Sequence, residues 1–422
     1  MRFYYNALRD YLAERLWLRP AGFGLIAVCV VAVATGIDQV IGQPFSFDIK
    51  RETIDGLLTI MATAMLTVST FAVSVMLSAY VAAISASTPR AFSILVADSF
   101  SKQAISTFIG AFTFSVVGLI GLNVGFIQAS GRILLFAATI SVFILVVGTL
   151  IYWIDHVARI STVSSTIDKV ASRATDMLTR HLTHPGHGGT PVYASAMPPD
   201  GALAVLSSFT GTVQFIDVAA LSGVAEEHGL TVHVAVRLGD VIGQGRPIVW
   251  LYDGPLEAVD DDAKRAVSAA IRIGQSRHRS EDAVLALKTL SEIGDRALSP
   301  GINDPGTAND ILDALLQVFS DATRASEQAG TAHQHPRVLV PIMDPEQVLT
   351  AAFEQIARDG ASFVEVAVHL QHTLSAVADC LPAVWTEALR EQSCRALDRA
   401  KGAMTHPHDI ARVEAAATLA AG

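Results

Sequence analysis

Three cysteines in 422 residues are too few for a disulfide framework, and none has the CxxC spacing of a zinc ribbon. Cys29 lies in an apolar run, and Cys380 and Cys394 lie in a helical region, a pattern that fits a reducing compartment. Charge is scarce as well: 17% of residues are charged, against about 25% in an ordinary soluble chain. The deficit is concentrated before residue 155. A basic excess is also missing. The net charge of −10 comes mainly from the residues after 154 and argues against nucleic-acid binding, which needs a basic footprint. Neither GxxxxGK[ST] nor GxSxG occurs. Gly243-Gln244-Gly245 lacks the third glycine of a dinucleotide loop. Without a convergent acid, base and nucleophile, no enzyme and no cofactor are expected.

What the chain does have is long apolar runs, all of them early. A span needs about 20 apolar residues, because a helix rises about 1.5 Å per residue across about 30 Å of hydrocarbon. Four segments qualify: Ala21–Ile41, Gly56 to about Ser85, Ile105–Ile127 and Ile133–Ile154. The first is too long for a signal-peptide core and no small-residue cleavage site follows it. Lys and Arg beside the spans set the orientation. Arg2, Arg9, Arg15, Arg19, Arg90, Lys102, Arg159, Lys169 and Arg173 fall on one side, and Lys50, Arg51 and Arg132 on the other. Both termini are therefore expected in the cytoplasm of a multi-pass inner-membrane protein. Within residues 1–19, Tyr4, Leu8, Tyr11, Leu12 and Leu16 recur at helical spacing. They predict an interfacial amphipathic helix, or else a helix packed on the soluble part.

The second span carries the most informative pattern. Thr59, Thr63, Thr67, Thr70, Ser74 and Ser78 step by three or four residues, which keeps six hydroxyls on one helical face. Lipid offers such groups no partner, so the face is expected against protein or water. Two readings stay open. Small hydroxyl residues let helices pack closely, or the stripe lines a hydrated path at an oligomer axis. No charge sits at mid-membrane, where ion pathways often place one. The third span offers Gly110, Ser115, Gly118, Gly121 and Gly125 for close crossings, and Asn123 as a hydrogen-bonding partner for another helix. Span two is longer than the hydrocarbon. Its end, running into Ser87-Thr88-Pro89-Arg90, is a candidate coupling loop to the cytoplasmic part.

After span four, the pattern Ile160, Val163, Ile167, Val170, Ala174 and Leu178 predicts a helix continuing as a stalk, followed by a Gly/Pro/His linker over His181–Pro199. Short β-branched strands follow at Leu203–Leu206, Gly211–Ile216, Thr231–Val236 and Pro247–Leu251, with a helix at Val218–Glu227 between them. Residues 236–248 resemble the turn-and-strand signature of lipoyl-like sandwich domains, but residues 203–252 hold no lysine. Covalent carriage is excluded, and a structural or assembly module remains. Helices are predicted over Ala263–Ile273, Glu281–Leu298, Gly306–Ser320, Pro345–Asp359, Ser362–Asp379 and Pro382–Met404, with a strand at Arg337–Pro341. The fold class is thus membrane α-helical (four spans) plus a cytoplasmic α+β part: a small lipoyl-like β module, then a mainly helical domain. The expected divisions are 1–19, 20–154, 155–202 (stalk and linker), 203–258 and 259–422.

Between two predicted helices lies Leu298-Ser299-Pro300-Gly301-Ile302-Asn303-Asp304-Pro305. Two prolines and a glycine make it an interhelical turn, with Asp304 or Thr307 capping the next helix. The alternative is an anion or partner site at that helix start. His181, His184 and His187 have chelating spacing but sit in a Gly/Pro-rich loop. Neither they, nor His369 with His372, nor His406 with His408, are expected to hold a metal. Four strings together resemble a large family of bacterial predicted membrane proteins catalogued only as a domain of unknown function. They are Ser87-Thr88-Pro89-Arg90, Phe108-Ile109-Gly110, Thr210-Gly211-Thr212-Val213-Gln214 and Ala297 to Pro305. The resemblance implies an inner-membrane location, four spans and a cytoplasmic domain; it implies no activity. The leading expectation is an oligomeric channel or pore for a small ion, with span two lining it. The competing one is a non-conducting, membrane-anchored scaffold or signalling protein with a cytoplasmic protein partner. Lipid bilayer and further copies of the chain are the expected partners.

Overall fold

The computed structural model describes residues 18–40, 49–86, 88, 99–125, 127, 129–160, 162–193, 196–275, 282–329 and 334–421. The predicted interfacial helix, apart from its last two residues, and Pro89 and Arg90 of the coupling loop lie outside them. The chain divides into two compact units, Met1–Thr166 and Ile167–Gly422.

The first unit is helical: α1 (Leu18–Val40), α2 (Arg51–Ala86), α3 (Ser99–Asn123) and α4 (Ala129–Ile160). Among the described residues, three segments are long and apolar enough to cross a membrane: Arg51–Ala82, Phe100–Asn123 and Gly131–Ala158; Ala21–Gly36 in α1 is a shorter apolar stretch. Helix α3 is the central one and touches α1, α2 and α4. Its small residues explain why. A Cβ on Gly110 would collide with the Phe23 ring of α1, and one on Gly121 would fall 2.8 Å from Val31 Cγ1. Gly118 makes room for Leu58 of α2 and Leu135 of α4. Close approach restores dispersion contacts that bulkier residues would prevent. Gly125 does something different from what its spacing suggests. It lies past the end of α3 at φ +82°, with nothing within 4 Å of a Cβ. It turns the chain and packs no helix.

The predicted stalk is not one continuous helix. Helix α4 ends at Ile160 and a separate α5 runs over Val163–Thr183. Thr162 Oγ1 accepts the Ser165 amide (3.2 Å), satisfying an N–H that a helix start leaves without an intrahelical partner.

The second unit combines two sheets with a helical bundle. Strands β1 (Gly189–Val192), β2 (Leu203–Leu206), β4 (Thr231–Val234), β6 (Pro247–Tyr252) and β8 (His335–Pro341) form a five-stranded sheet in the order β1-β8-β4-β6-β2. Strand β8 pairs parallel with both β1 and β4, and the remaining pairs are antiparallel. Strands β3 (Gly211–Ile216), β5 (Val241–Ile242) and β7 (Ile271–Gly274) form a second sheet in the order β5-β3-β7. Three strands were not foreseen, among them the two-residue β5, which pairs antiparallel with the start of β3. Strand β1 lies in the predicted linker; as an edge strand it tolerates Pro191. Strand β7 replaces the end of the predicted helix Ala263–Ile273: helix α7 stops at Ala269 and Ile271–Gly274 pairs antiparallel with β3. Helices α6 (Val218–His228) and α7 (Asp261–Ala269) are capped by Asp217 and Asp260. With the sheets they share a core that includes Leu221, Leu230, Val232, Val249, Val267 and Val338.

The bundle comprises α8 (Ala283–Ala297), α9 (Pro305–Ala329), α10 (Pro345–Asp359), α11 (Val364–Cys380), α12 (Thr386–Ala403), α13 (Pro407–Ala416) and α14 (Thr418–Ala421). Helix α10 lies against α8 and α12, and α11 against α9, α12 and α13. Phe319 and Phe353 stack at 5.9 Å in its core. Gln371 and Ser393, both fully buried, satisfy each other: Ser393 Oγ donates to Gln371 Oε1 (2.5 Å), and Gln371 Nε2 donates to the Ser393 carbonyl (3.1 Å).

Candidate functional site

Helix α2 is 36 residues long, about 54 Å at about 1.5 Å per residue, well beyond about 30 Å of hydrocarbon. Its inward face carries Ile54, Leu58, Met61, Met65 and Ala72. The hydroxyl stripe lies on the other side. Thr59, Thr63, Thr67, Thr70, Ser74 and Ser78 are all exposed in the single chain, beside exposed Ile60, Leu66, Phe71 and Leu77. The periodicity therefore places the six hydroxyls together as expected, but no described helix of the same chain packs on them.

The stripe is not without hydrogen bonds. Thr63, Thr67, Thr70 and Ser74 donate to carbonyls four residues back, those of Thr59, Thr63, Leu66 and Thr70, at 3.0–3.1 Å. These bonds satisfy the hydroxyl protons within the helix. These four donors are therefore paired even where lipid offers them nothing. What remains on the outer face is a row of oxygen lone pairs and small side chains.

At one end of α2, Arg51 donates to Asn123 Oδ1 of α3 (2.7 Å), and Asn123 Nδ2 donates to Asp55 Oδ1 of α2 (3.0 Å). Asn123 thus joins two helices, as its position suggested. Of the coupling loop, only Thr88 is described.

Residues Ser299 to Pro305 form the turn between α8 and α9. Ser299 Oγ donates to the Arg296 carbonyl (2.6 Å), and the Asp304 amide donates to the Ala297 carbonyl (2.8 Å). Asn303 takes the left-handed backbone at φ +54°, which Asn adopts more readily than most residues. Asp304 accepts from the Thr307 amide (3.1 Å) and hydroxyl (2.7 Å). The Thr307 hydroxyl bond, followed by its amide bond, holds the Asp304 carboxyl below the usual carboxylate range. The turn's tip, Pro300 to Asp304, is exposed. The capping role is therefore a built feature of this string.

His181, His184 and His187 do not form a metal cluster among the described residues. They line a cavity within the second unit, together with His335. His406, His408 and Asp409 do bring ligand atoms within 4.8 Å of one another. They lie at the surface, where the His406 ring accepts the His408 amide (3.3 Å) and caps α13. Sequence reasoning missed the cavity because it is assembled from separate segments of the chain.

Comparison with known proteins agrees with this architecture at the level of family. An uncharacterized protein of Mycobacterium tuberculosis strain H37Rv is 24% identical over 98% of this chain and 82% of its own length. An uncharacterized protein of Mycobacterium bovis matches at the same identity and coverage. No solved structure matches. The model of one family, described as "Predicted membrane protein (DUF2254)", covers residues 13–376, and with three membrane-length apolar helices behind that match, the chain belongs to this family of membrane proteins.

Proposed function

We propose that the chain is a multi-pass inner-membrane protein that assembles through α2 into an oligomeric pore for a small ion, with the second unit as its cytoplasmic assembly and gating part. In this reading α1 is a fourth span and both termini are cytoplasmic, as the Lys and Arg distribution favours. No catalytic step is assigned. The observation that carries the reading is the position of the stripe: six small hydroxyl residues on a membrane-length helix, on a face that the described residues of its own chain leave bare. Small residues and backbone-bonded hydroxyls suit close packing between membrane helices, and their oxygens suit a hydrated path. The lipoyl-like reading of residues 203–258 rests on turn chemistry, supported by positive φ at Gly239 and Gly245. The parallel pairing of β8 with β4 is a feature outside it.

The non-conducting scaffold is the second reading. It is favoured by the hydroxyl bonds back to the helix's own carbonyls, and by the missing charge between Gly56 and Ala86. Flux from liposomes separates the two. The pore reading expects ion flux with the parent protein, reduced by Leu at Thr63, Thr67 or Thr70. Absent flux from an assembled oligomer supports the scaffold, and a strictly monomeric protein removes both the pore and the packing seam between copies.

A further inference from the structure

Strand β2 ends the five-stranded sheet and β7 ends the three-stranded one. Strand β2 pairs with β6 and β7 with β3. Among the described residues, no further backbone hydrogen bond reaches Leu203–Leu206 or Ile271–Gly274. Each strand thus keeps an outer side, a row of N–H and C=O groups whose complement is another extended backbone. Both outer sides border one open groove of about 700 Å³. Successive side chains of a strand point to opposite faces, so a groove on one face would touch every second residue. This groove touches all four residues of β2 in a row, and Ile271, Arg272 and Ile273 in a row. It therefore follows the strand edges. Its remaining wall is α7, through Asp261, Lys264, Arg265, Ser268 and Ala269, whose steps of three, one, three and one form a single helical face. A slot between strand edges and a helix has the shape of one extended chain.

The edge of β2 also lacks two common protections. Prolines and charged side chains keep exposed edges from pairing. Strand β1, at the opposite end of the same sheet, carries Pro191. Strand β2 is Leu203-Ala204-Val205-Leu206, with neither a proline nor a charge. Just beyond it, Ser207 is fixed from both sides. Its amide donates to the Arg246 carbonyl (2.8 Å), and its carbonyl accepts from the Gly245 amide (2.8 Å). Its hydroxyl donates to the Phe209 carbonyl (2.7 Å). This held turn presents the Phe209 ring at the groove, 69% exposed, and Leu206 beside the edge is 49% exposed. The charges of the slot are already engaged. Lys264 pairs with Asp261 and Arg265 with Asp262, and Arg272 lies over the Phe215 ring. The slot therefore selects by backbone and apolar contact and not by net charge.

We propose that this slot binds an extended peptide segment of another protein, which adds as a strand to β2 and lies against α7. Backbone bonds to the β2 edge supply affinity, and apolar residues at alternate positions cover Leu206 and Phe209. The four residues of β2 span about 13 Å at about 3.3 Å each, which matches a segment of about five residues. Backbone complementarity selects an extended chain over a helix or a small molecule. The slot is concave, with α7 and β7 on its far side, so it admits one strand and not the edge of a second folded sheet. The inference stands apart from the pore reading, because every residue it uses belongs to the second unit.

The test is selection from a phage-displayed library of random decapeptides on the full chain in lipid nanodiscs, with Ala269→Trp nanodiscs as the counter-selection. Ala269 is exposed on the slot face of α7, so the new ring fills the slot from a surface position. Peptides with apolar residues at alternate positions should be enriched. The leading peptide, labelled with fluorescein, should bind the parent in an anisotropy titration with Kd below about 100 μM. Ala269→Trp should weaken it about tenfold or more, and Phe209→Ser about threefold or more. N-methylation of one alternate set of its amides should weaken binding about tenfold more than methylation of the other set, because an added strand turns only one set toward β2. If Ala269→Trp does not fold, Phe209→Ser, which removes an exposed ring, takes its place as the counter-selection. No enrichment over the variant, equal effects of the two methylated sets, or binding unchanged by Phe209→Ser would each overturn the proposal. So would dimers of the parent that Ala269→Trp disperses in the absence of any peptide binding, which would give the edge to a second copy of the chain.

Discussion

His181 gives the second unit a stability that depends on pH in a calculable way. Burial is the larger cause of its low value and the neighbouring His187 the smaller, moving the ring from 6.5 to about 4. That difference of about 2.5 units corresponds to about 3 kcal/mol at about 1.36 kcal/mol per unit. The sign follows from proton uptake. Between those values the unfolded chain binds the proton and the folded chain does not, so stability falls with falling pH. The contribution is complete above about pH 6.5, about 2 kcal/mol of it is gone by about pH 5, and it is exhausted below about pH 4. His181→Phe removes the titrating group while keeping a ring of similar size. Urea unfolding of the parent and variant in the same detergent, followed by tryptophan fluorescence at several pH values, isolates the effect. Whatever their difference at pH 7, it should move by about 2 kcal/mol in favour of the variant by about pH 5. A difference that stays flat to about 0.5 kcal/mol over that range would refute the buried, neutral imidazole.

Four further outcomes follow from packing, capping and buried hydrogen bonds. Gly121→Val pushes a side chain against Val31 and should destabilise the α1–α3 contact by about 1–3 kcal/mol, read as a lower melting temperature. Gly148→Ala, with nothing within 4 Å, should be neutral within about 0.5 kcal/mol. Asp304→Ala should cost about 1 kcal/mol near pH 7 through the lost cap of α9. Because the Asp304 carboxyl is held low, its stabilisation is present above the ordinary aspartate value and is lost as pH falls through the depressed one, so parent and variant converge in acid. Gln371→Ala leaves the Ser393 hydroxyl buried without its acceptor and should cost about 1–3 kcal/mol. The double change Gln371→Leu with Ser393→Ala should recover part of that loss in denaturant unfolding.

The helical framework and most strands were legible because their signals are local. The step of three or four residues placed the six hydroxyls of α2 on one face, and Leu203–Leu206 and Gly211–Ile216 are short runs that stop at Ser207 and Asp217. Pro345–Asp359 announces both its ends: Asp344 caps it and Pro345 opens it. The misses share a cause in tertiary structure. Gly188-Gly189-Thr190-Pro191 reads as a linker, and only the distant β8 makes part of it a strand. Ile271-Arg272-Ile273 continues a helical pattern until β3 recruits it. The break between α4 and α5 hides behind an unbroken apolar spacing. The histidines of residues 181–187 were noticed for their spacing, but spacing could not show that α6, α8 and β8 would bring a cavity to them. The exposure of the stripe was likewise beyond a sequence, because it depends on which face α3 and α4 occupy.

The central claim is that copies of this chain meet along the hydroxyl face of α2. Disulfide cross-linking in native membranes tests it directly. In a background with Cys29, Cys380 and Cys394 changed to serine, single cysteines are placed at each position from 59 to 78. Cross-linked dimers should appear at Thr59, Thr63, Thr67, Thr70, Ser74 and Ser78 and be weak at Met61, Met65 and Ala72, whose face is already covered. Uniformly absent cross-links along the stripe, with those six cysteines instead labelled by a lipid-phase reagent, would contradict the account.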